Sequence, residues 1–307
     1  MRRETPPDAD SPALGDLVQP FQVEALGVRG RLVRLGPAAQ DVLAPHQYPE
    51  PVAALLGELV AVTAALVATL KFEGKFILQT KGDGAVPLMV ANSTTDGALR
   101  GYANFDPDAL AADSRPEALL GHGHMVLTVD QGPDMDQYRG IVALTGGRLA
   151  DNIETYFRQS EQIPSALAVA ARRVASNGAA TWRAGCLMVQ TLPEADPESL
   201  ERAETADSWN EARALMATVS GDELTDPGLD SARLLTRLFG AGNVTARRPR
   251  ALRFACQCSR ARAVGMLEAM PTAARVDMAV DGRITVTCGF CNSCYEFKAD
   301  EFAGETD

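Results

Sequence analysis

Apolar and polar residues alternate over much of the first half of the chain, and a period of two predicts β-strands. Phe21 to Leu35 contains two such runs around Gly27–Gly30, so it predicts two strands with a tight connection. Lys75 to Val90 predicts a hairpin that turns at Lys81–Gly84, because this glycine-rich run lacks the spacing of a phosphate-binding loop. Further strands are predicted at Leu99–Phe105, Met125–Val129 and Gly140–Leu144.

Two helices are also expected in this region. Val52 to Leu70 is a run of 19 residues with a single charge, Glu58. That length is enough to span a bilayer, but the run is rich in alanine and a carboxylate in mid-membrane is costly. We therefore expect a buried core helix. A second helix is expected to begin at Asp151 or Asn152 and to end before Pro164.

The pattern changes between Leu192 and Asp230. This stretch holds eleven acidic residues against Arg202 and Arg213, a net charge of −9 out of −11 for the chain. Its apolar residues are thinly spread: Leu200, Trp209, Leu215, Met216 and Val219. Such a helix is marginal alone and needs a neighbour to stay folded, although a plain solvated linker helix is the alternative. A second amphipathic helix is predicted at Ala232–Phe239.

Composition restricts the classes of protein that fit. A chain of 307 residues that is 46% hydrophobic is long enough for two domains. The net charge of −11 argues against nucleic acid or an anionic membrane as the main partner. Residues 1–13 are acidic and proline-rich, which predicts a disordered tail, and they lack the apolar core of a secretory signal.

Cysteine chemistry dominates the C-terminal part. Five of the six cysteines lie between residues 256 and 294: Cys256, Cys258, Cys288, Cys291 and Cys294. Two close pairs of thiolates form a tetrahedral zinc site if the chain folds back between them. The sixth, Cys186, lies in an apolar strand and is expected to be a buried, inert thiol. Free thiols fit a reducing compartment and predict a cytoplasmic protein.

The 29 residues between the two pairs allow the chain to fold back. Met266–Met270 predicts a short helix that Pro271 ends, Asp281-Gly282 predicts a turn, and Ile284–Thr287 predicts a strand. The spacing also leaves open the interpretation that this is a structural zinc site whose cysteines never react.

Two features favour a reactive site instead. The first pair is C-x-C rather than the usual C-x2-C, and a disulfide across one residue closes a small, strained ring that is easily reduced again. Six arginines precede or follow it with no acid from 246 to 262: Arg247, Arg248, Arg250, Arg253, Arg260 and Arg262. Positive charge lowers thiol pKa, so we expect reactive thiolates.

Other motifs have ordinary explanations. Asp134 and Asp136 suggest a metal pair, but no third ligand is in view and a loop is the better interpretation. His122 and His124 are expected at a strand end rather than as ligands. Ser160-Glu161-Gln162 invites a catalytic role, yet the three histidines of the chain do not complete a serine–histidine–acid set.

Taken together, the motifs resemble the heat-shock protein 33 family of redox-regulated chaperones from about residue 14 to the end. The motifs that carry the resemblance are Gln79–Gly84, Gly101–Asn104, Asp134–Asp136 with Tyr138–Gly140, Tyr156-Phe157 with Ser160–Pro164, Cys256–Arg260 and Cys288–Cys291. The C-x-C followed at this distance by C-x-x-C, with Ser-Glu-Gln-Ile-Pro upstream, is highly specific.

The resemblance implies an α+β fold in three parts. These are a chaperone core of mixed sheet and helix at 14–192, a metastable acidic helical linker at 193–250, and a four-cysteine zinc-binding redox-switch domain at 251–307. It implies a binding protein for unfolded or aggregation-prone clients that needs no ATP and is not an enzyme.

The resemblance also assigns roles to the cysteines. Cys256, Cys258, Cys288 and Cys291 would bind Zn²⁺ in a reduced, inactive monomer. Oxidation would form the disulfides Cys256–Cys258 and Cys288–Cys291, release zinc, unfold the linker and give an active homodimer. Cys294 departs from the family pattern, because it is a fifth thiol that is able to compete as a ligand or to form a wrong disulfide.

Two other classes of protein stay open. A zinc-ribbon module that binds nucleic acid is supported by the six arginines, although the net charge and the C-x-C oppose it. A thiol–disulfide oxidoreductase would use Cys288 and Cys291, but this C-x-x-C does not open a helix after a strand. A metal hydrolase is excluded by four cysteines that leave no open zinc position.

Overall fold

A computed structural model describes residues 15–69, 73–132, 135–176, 178–192 and 207–302. The chain divides into two compact units, Met1–Phe254 and Ala255–Asp307. The predicted boundaries between core, linker and zinc domain stay a prediction, as do the expectations for residues 1–13, which lie outside the described residues. Asp134 and the linker residues 193–206 also lie outside them.

The first unit is built from two sheets and a set of helices. Its strands are β1 (Leu17–Val23), β2 (Val28–Leu35), β3 (Lys75–Gly82), β4 (Leu88–Thr94), β5 (Ala98–Asn104), β6 (His122–Asp130), β7 (Tyr138–Thr145), β8 (Ser165–Ser176), β9 (Ala179–Thr191), β10 (Val244–Ala246), β11 (Arg250–Ala251) and β12 (Arg253–Phe254). Its helices are α1 (Pro37–Leu43), α2 (Glu50–Val67), α3 (Pro107–Ala112), α4 (Pro116–Leu120), α5 (Leu149–Tyr156), α6 (Asp207–Met216), α7 (Gly221–Thr225) and α8 (Ser231–Phe239).

Each sheet is almost entirely antiparallel. The first sheet has the order β10-β1-β2-β9-β8, and β11 also pairs with β1. The second sheet has the order β12-β5-β4-β3-β6-β7, in which only the β12–β5 pair is parallel among the described strands. The expected α+β fold is therefore confirmed, and the predicted strands between residues 75 and 145 are present.

Helix α2 forms the centre of the first unit. It lies between the two sheets and packs on β8 and β9 on one side and on β4 and β5 on the other. Within the described residues it is the one helix long and apolar enough to cross a membrane, and 78% of that window is buried inside the unit. The prediction of a buried core helix is confirmed.

The β1–β2 connection differs from the prediction. The chain turns at Glu24–Leu26, and Gly27 adopts a left-handed conformation, so the connection precedes the expected position. Gly30 lies inside β2, opposite Phe21, and a Cβ at Gly30 would lie 2.1 Å from the Phe21 ring. The second glycine therefore makes room for an aromatic side chain rather than for a turn.

The start of α5 was also misplaced. The helix begins at Leu149, so Asp151 lies inside its first turn. From there the Asp151 carboxylate accepts a hydrogen bond from the Arg148 N–H at 3.3 Å. Asn152 is buried within the helix, where its side chain bonds Thr145, Gly146 and Arg148. Both polar residues stabilise the first turn, but neither precedes it.

The described part of the acidic stretch covers one face of the first sheet. Trp209 and Met216 of α6, Leu224 of α7 and Leu234 of α8 are buried against apolar residues of that sheet. Phe239 packs on Phe21 with ring centroids 5.6 Å apart. The predicted helix at 232–239 is confirmed as α8. The described residues of the thin apolar stripe pack on the sheet, which is the kind of neighbour that the acidic helix was expected to need. We call α6, α7 and α8 the acidic cover.

The second unit is small. It contains α9 (Arg260–Glu268), α10 (Thr272–Asp277) and a hairpin of β13 (Arg283–Thr287) and β14 (Cys294–Lys298). The predicted strand and the turn at Asp281-Gly282 are confirmed, with positive φ at both turn residues. The predicted helix at 266–270 was too short, because Ser259 caps α9 by accepting a hydrogen bond from the Arg262 N–H.

Candidate metal centre

Four cysteine sulfurs converge in the second unit. The Sγ atoms of Cys256, Cys258, Cys288 and Cys291 all lie within 4.8 Å of one another. Cys256 Sγ lies 3.6 Å from Cys288 Sγ, and Cys258 Sγ lies 3.3 Å from Cys291 Sγ. Four sulfurs at about 2.3 Å from a single tetrahedral zinc ion would be about 3.8 Å apart. The four cysteines therefore fit a metal ion of that size, and the all-sulfur set suits zinc.

The hairpin positions the second pair. Cys288 directly follows β13, and the turn after it is closed by the Asn292 N–H, which donates to the Cys288 carbonyl at 2.8 Å. The Cys288 N–H donates to the Ser293 carbonyl at 2.9 Å, and Asn292 has a φ of 56°. This tight turn presents both sulfurs on one side before the chain returns as β14.

The first pair lies just before α9. The segment holding Cys256 and Cys258 is held in place by Arg262, whose guanidinium donates to the Gln257 carbonyl at 2.7 Å. Ser259 then begins the helix. A hydrogen bond into the C-x-C segment and a helix cap directly after it fix the direction in which these two sulfurs point.

Hydroxyl groups surround the sulfurs. The Tyr295 hydroxyl donates to Cys258 Sγ at 3.2 Å, and Cys291 Sγ lies 3.2 Å from Ser293 Oγ. The spacing of cysteines does not indicate these two residues. Ser293 is adjacent to the motif and Tyr295 lies on the inward face of β14, so strand alternation was the signal that could have found them.

The thiols differ in how readily they ionise. Burial raises the pKa of Cys256 to about 12 and also raises the pKa of Cys288, although the Phe290 and Cys291 amides oppose it at Cys288. At Cys291 burial also acts to raise the pKa, but hydrogen bonding with Ser293, and then with Cys258 and Cys256, outweighs burial and lowers the pKa to about 7. A metal ion would add its own charge to this balance and favour all four thiolates.

The arginines next to the site have other partners. Arg260 lies over the Phe297 ring at 4.2 Å and donates to the Glu296 carbonyl at 2.7 Å. Arg262 is bound to the Gln257 carbonyl. The leading causes of the thiol pKa shifts are therefore burial and Ser293, and not the arginine charge that we expected.

The remaining cysteines are outside the cluster. Cys294 begins β14 and is exposed, and side chains alternate along a strand, so the inward position of Tyr295 directs Cys294 the other way. Cys186 is fully buried in β9, where burial raises its pKa strongly. The predicted burial of Cys186 is confirmed, and its inertness stays a prediction. Within the described residues Cys294 is not one of the grouped thiols.

The other suggested ligands do not converge. His122 and His124 are exposed at the start of β6, as expected for strand-end residues, and His46 stacks on Tyr48 at 4.9 Å. Within the described residues, the four cysteines are the one group of three or more that is suited to hold a metal ion.

Comparison with known proteins identifies the family. The profile of the family described as Hsp33 protein matches residues 16–298. A protein named 33 kDa chaperonin from Caulobacter vibrioides strain NA1000 is 43% identical over 294 residues, which cover 94% of this chain and 96% of that protein. The chain belongs to the Hsp33 family. The resemblance carried by the motifs is thus confirmed.

Further Hsp33 relatives agree. A 33 kDa chaperonin of Pseudomonas aeruginosa strain UCBPP-PA14 is 38% identical over 294 residues, covering 94% of this chain and 93% of that one. The crystal structure of the 33 kDa chaperonin of Thermotoga maritima is similar in fold, with a TM-score of 0.75, 22% identity, and coverage of 94% and 96%. The related proteins are named as chaperonins, which places this chain in a chaperone family.

Proposed function

We propose that this protein is a redox-regulated chaperone that holds unfolding proteins without ATP, and that its reduced, metal-bound form is inactive. The observation that carries the proposal is the convergence of four oxidisable sulfurs in a unit with little else to hold it together. The ligands that would bind the metal are also the groups that peroxide attacks.

The second unit depends on those sulfurs for its stability. Among its described residues, the core consists of five buried apolar side chains: Ala263, Leu267, Ile284, Phe297 and Phe302. A core of this size is too small to stabilise a domain by itself. A zinc ion held by Cys256, Cys258, Cys288 and Cys291 would supply about 10–16 kcal/mol of apparent binding free energy that is coupled to folding.

Oxidation removes the ligands. Each disulfide forms when two thiols lose two protons and two electrons to one peroxide molecule, which leaves as two water molecules. We propose the pairs Cys256–Cys258 and Cys288–Cys291, and every pair of these sulfurs starts within 4.8 Å. Because disulfide sulfurs are poor metal ligands, the second unit then unfolds.

The acidic cover responds next in this proposal. It consists of three short helices on an apolar sheet face, and α6 and α7 carry acids against few bases. The chain from α8 to the cysteines runs through β10, β11 and β12, which have three, two and two residues. Strands of two or three residues have few backbone hydrogen bonds, so they give little resistance to unfolding that starts in the second unit.

Release of the acidic cover would expose a client-binding surface. Beneath it lie Phe21, Val23, Leu32, Leu187 and Val189 of the first sheet. A contiguous apolar face of this kind binds unfolded chains, while a net charge of −11 keeps the complexes soluble. We further propose that the oxidised form is a homodimer, that the reduced form is a monomer, and that the protein acts in the cytoplasm.

Peroxide treatment tests the proposal. Reduced protein is treated with hydrogen peroxide at raised temperature, and metal release, free thiols, helix content, molecular mass and aggregation of a heat-denatured test protein are followed together. We expect two disulfides, metal release, less helix, a doubled mass and suppressed aggregation. Retained metal and unchanged helix content in a protein that suppresses aggregation would refute the mechanism.

A variant without the fifth thiol of the second unit tests the proposed disulfide pairs. Cys294→Ser removes the exposed thiol and leaves the four grouped cysteines, so it should behave as the parent. Peptide mapping should find Cys256–Cys258 and Cys288–Cys291, whereas Cys256–Cys288 and Cys258–Cys291 would overturn the proposed pairing.

A thiol–disulfide oxidoreductase is a second candidate, which the lowered pKa of Cys291 favours. That activity needs metal-free thiols and catalytic turnover. Reduction of insulin with many turnovers per molecule would support it, and stoichiometric oxidation alone would exclude it.

A further inference from the structure

Five arginines line one cavity in the first unit. The cavity has a volume of about 570 Å³ and its lining includes Arg29, Arg31, Arg247, Arg248 and Arg250. Neither aspartate nor glutamate is present among the described residues of the lining. In a chain of net charge −11 this local excess of positive charge needs an explanation.

The strand register brings the arginines together. Arg29 and Arg31 are two residues apart on β2, so they share one face of the first sheet. Their partners on β1 are Gln22 and Pro20. The chain between β10 and β11 runs along the edge of β1 that is opposite to β2. There the Arg247 N–H donates a hydrogen bond to the Pro20 carbonyl at 2.9 Å. The five cations therefore come from two distant segments.

The end of α2 accounts for only part of this charge. Arg31 Nε donates to the Ala68 carbonyl at 3.0 Å, and Arg250 approaches the same oxygen at 3.5 Å. A helix C-terminus is equivalent to about half of one negative charge. The end of α2 therefore leaves most of the five positive charges uncompensated.

The ion pairs of the described residues do not supply the balance. None of them includes any of these five arginines. The Nε of Arg29 is buried without a hydrogen-bond partner in the described part of the chain. Burial, together with the like charges of Arg29, Arg250 and Arg247, lowers the pKa of Arg31 to about 10.

We propose that the arginine cavity binds an oligophosphate, a short chain of linked phosphate groups. Guanidinium groups bind phosphate oxygens in a bidentate manner, and a chain of phosphates carries several charges within a short length. A single carboxylate would neutralise one arginine of the five. A concave site on an acidic protein also suits a compact anion better than a nucleic-acid duplex, which needs an extended basic surface.

Calorimetric titration of the reduced full-length protein with sodium tripolyphosphate tests this proposal. We expect one binding site per chain, with an affinity that falls steeply as salt rises. The double variant Arg247→Gln/Arg248→Gln removes two exposed cations, and the loss of their charge-assisted hydrogen bonds should weaken binding about tenfold or more. Both positions are exposed, so the variant should remain folded.

A charge-matched variant serves as the control. Arg139→Gln/Arg173→Gln also removes two exposed cations, but from β7 and β8. Its affinity should stay within about twofold of the parent, since bulk charge acts weakly at a distance in salt. A chromogenic chelator, added to the same samples, checks that tripolyphosphate has not removed metal from the cysteines.

The outcomes are distinct. Absence of binding at low salt, or an equal loss in both double variants, would overturn the arginine cavity as an oligophosphate site. Parallel titrations with ATP identify the source of the phosphates within the proposal. Equal affinity for ATP and tripolyphosphate means that only phosphates are bound, and weaker ATP binding means that a free inorganic chain fits better.

Discussion

Individual hydroxyl side chains lie against two of the four grouped sulfurs. Tyr295 donates a hydrogen bond to Cys258, and Ser293 hydrogen bonds lower the pKa of Cys291. Groups that orient and polarise metal ligands in this way usually matter for affinity as well as for geometry. They explain how four cysteines with different surroundings can act as one site.

Replacement of Tyr295 tests that contribution. Tyr295→Phe removes only the hydroxyl that donates to Cys258, and outer-shell partners of this kind typically contribute about 10–100-fold in metal affinity. We expect a loss in that range when zinc is competed with a chromogenic chelator. Cys294→Ser, which alters an exposed thiol outside the cluster, is the control and should match the parent. An unchanged affinity in the Tyr295 variant would show that the hydroxyl does not stabilise the bound thiolate.

Glu58 gives a prediction about pH. It lies on α2, and burial raises its pKa to about 7, although the charge of Arg148 opposes the shift. The unfolded chain ionises at the ordinary pKa, so between that value and about 7 the folded state binds more protons. Stability must therefore decrease as pH rises through this window.

Glu58→Gln should remove that part of the pH dependence. The variant should gain stability over the parent as pH rises from 5 to 8, by about 2–3 kcal/mol if the full shift is expressed. Thermal or denaturant unfolding at both pH values measures the difference. A constant difference between variant and parent across this range would contradict the prediction.

At the scale of elements, the acidic cover packs closely on the first sheet at Gly185. The Gly185 position in β9 leaves no space for a side chain, because a Cβ there would lie 2.5 Å from the Leu224 carbonyl of α7. The obstacle is backbone, so it cannot be relieved by rotating a side chain. The sheet therefore admits α7 only while residue 185 lacks a Cβ.

Gly185→Ala should loosen the acidic cover without oxidation. We expect the reduced variant to bind a hydrophobic dye more strongly and to suppress aggregation partially, because α7 is displaced from the apolar face. The control is Gly228→Ala in the same segment, where the nearest obstacle is the movable Asp226 side chain at 3.3 Å. If the reduced Gly185 variant stays inactive with a displaced α7, the apolar face is not the client-binding surface.

The elements show what sequence patterns predict well and what they miss. Alternation located β3 to β7, and a long apolar run located α2, since both patterns depend on burial of many residues. The start of α5 was missed because Asp151 and Asn152 lie inside the first turn of the helix and stabilise it there. In the sequence, polar residues at these positions look the same as residues that cap a helix from outside. Gly30 resembled a turn glycine because its reason is the Phe21 ring on the neighbouring strand.

The candidate site divides in the same way. The grouping of Cys256, Cys258, Cys288 and Cys291 could be predicted because metal-ligand spacing is a local pattern. The outward direction of Cys294 and the role of Tyr295 required the register of β13 with β14. The arginine cavity required the pairing of β1 with both β2 and β10, which joins residues more than 200 positions apart.

At the scale of the whole molecule, the two units should differ in how they respond to loss of the sulfur ligands. The second unit has a small core, whereas α2 is buried between two sheets in the first. The acidic cover belongs to the first unit but consists of short helices on its outer face. Local stability should therefore increase from the second unit to the acidic cover and then to α2.

Hydrogen exchange followed by mass spectrometry tests this order. After peroxide treatment, amides of residues 255–302 and then of α6, α7 and α8 should exchange faster, while amides of α2 and of β3 to β6 stay protected because their burial does not depend on the cysteines. Removal of metal from reduced protein with a chelator should unfold the second unit without forming disulfides. This control therefore separates the effect of metal loss from the effect of oxidation. Equal loss of protection in α2 would mean global unfolding, and full protection of α6 to α8 in oxidised protein would mean that the switch does not reach the acidic cover.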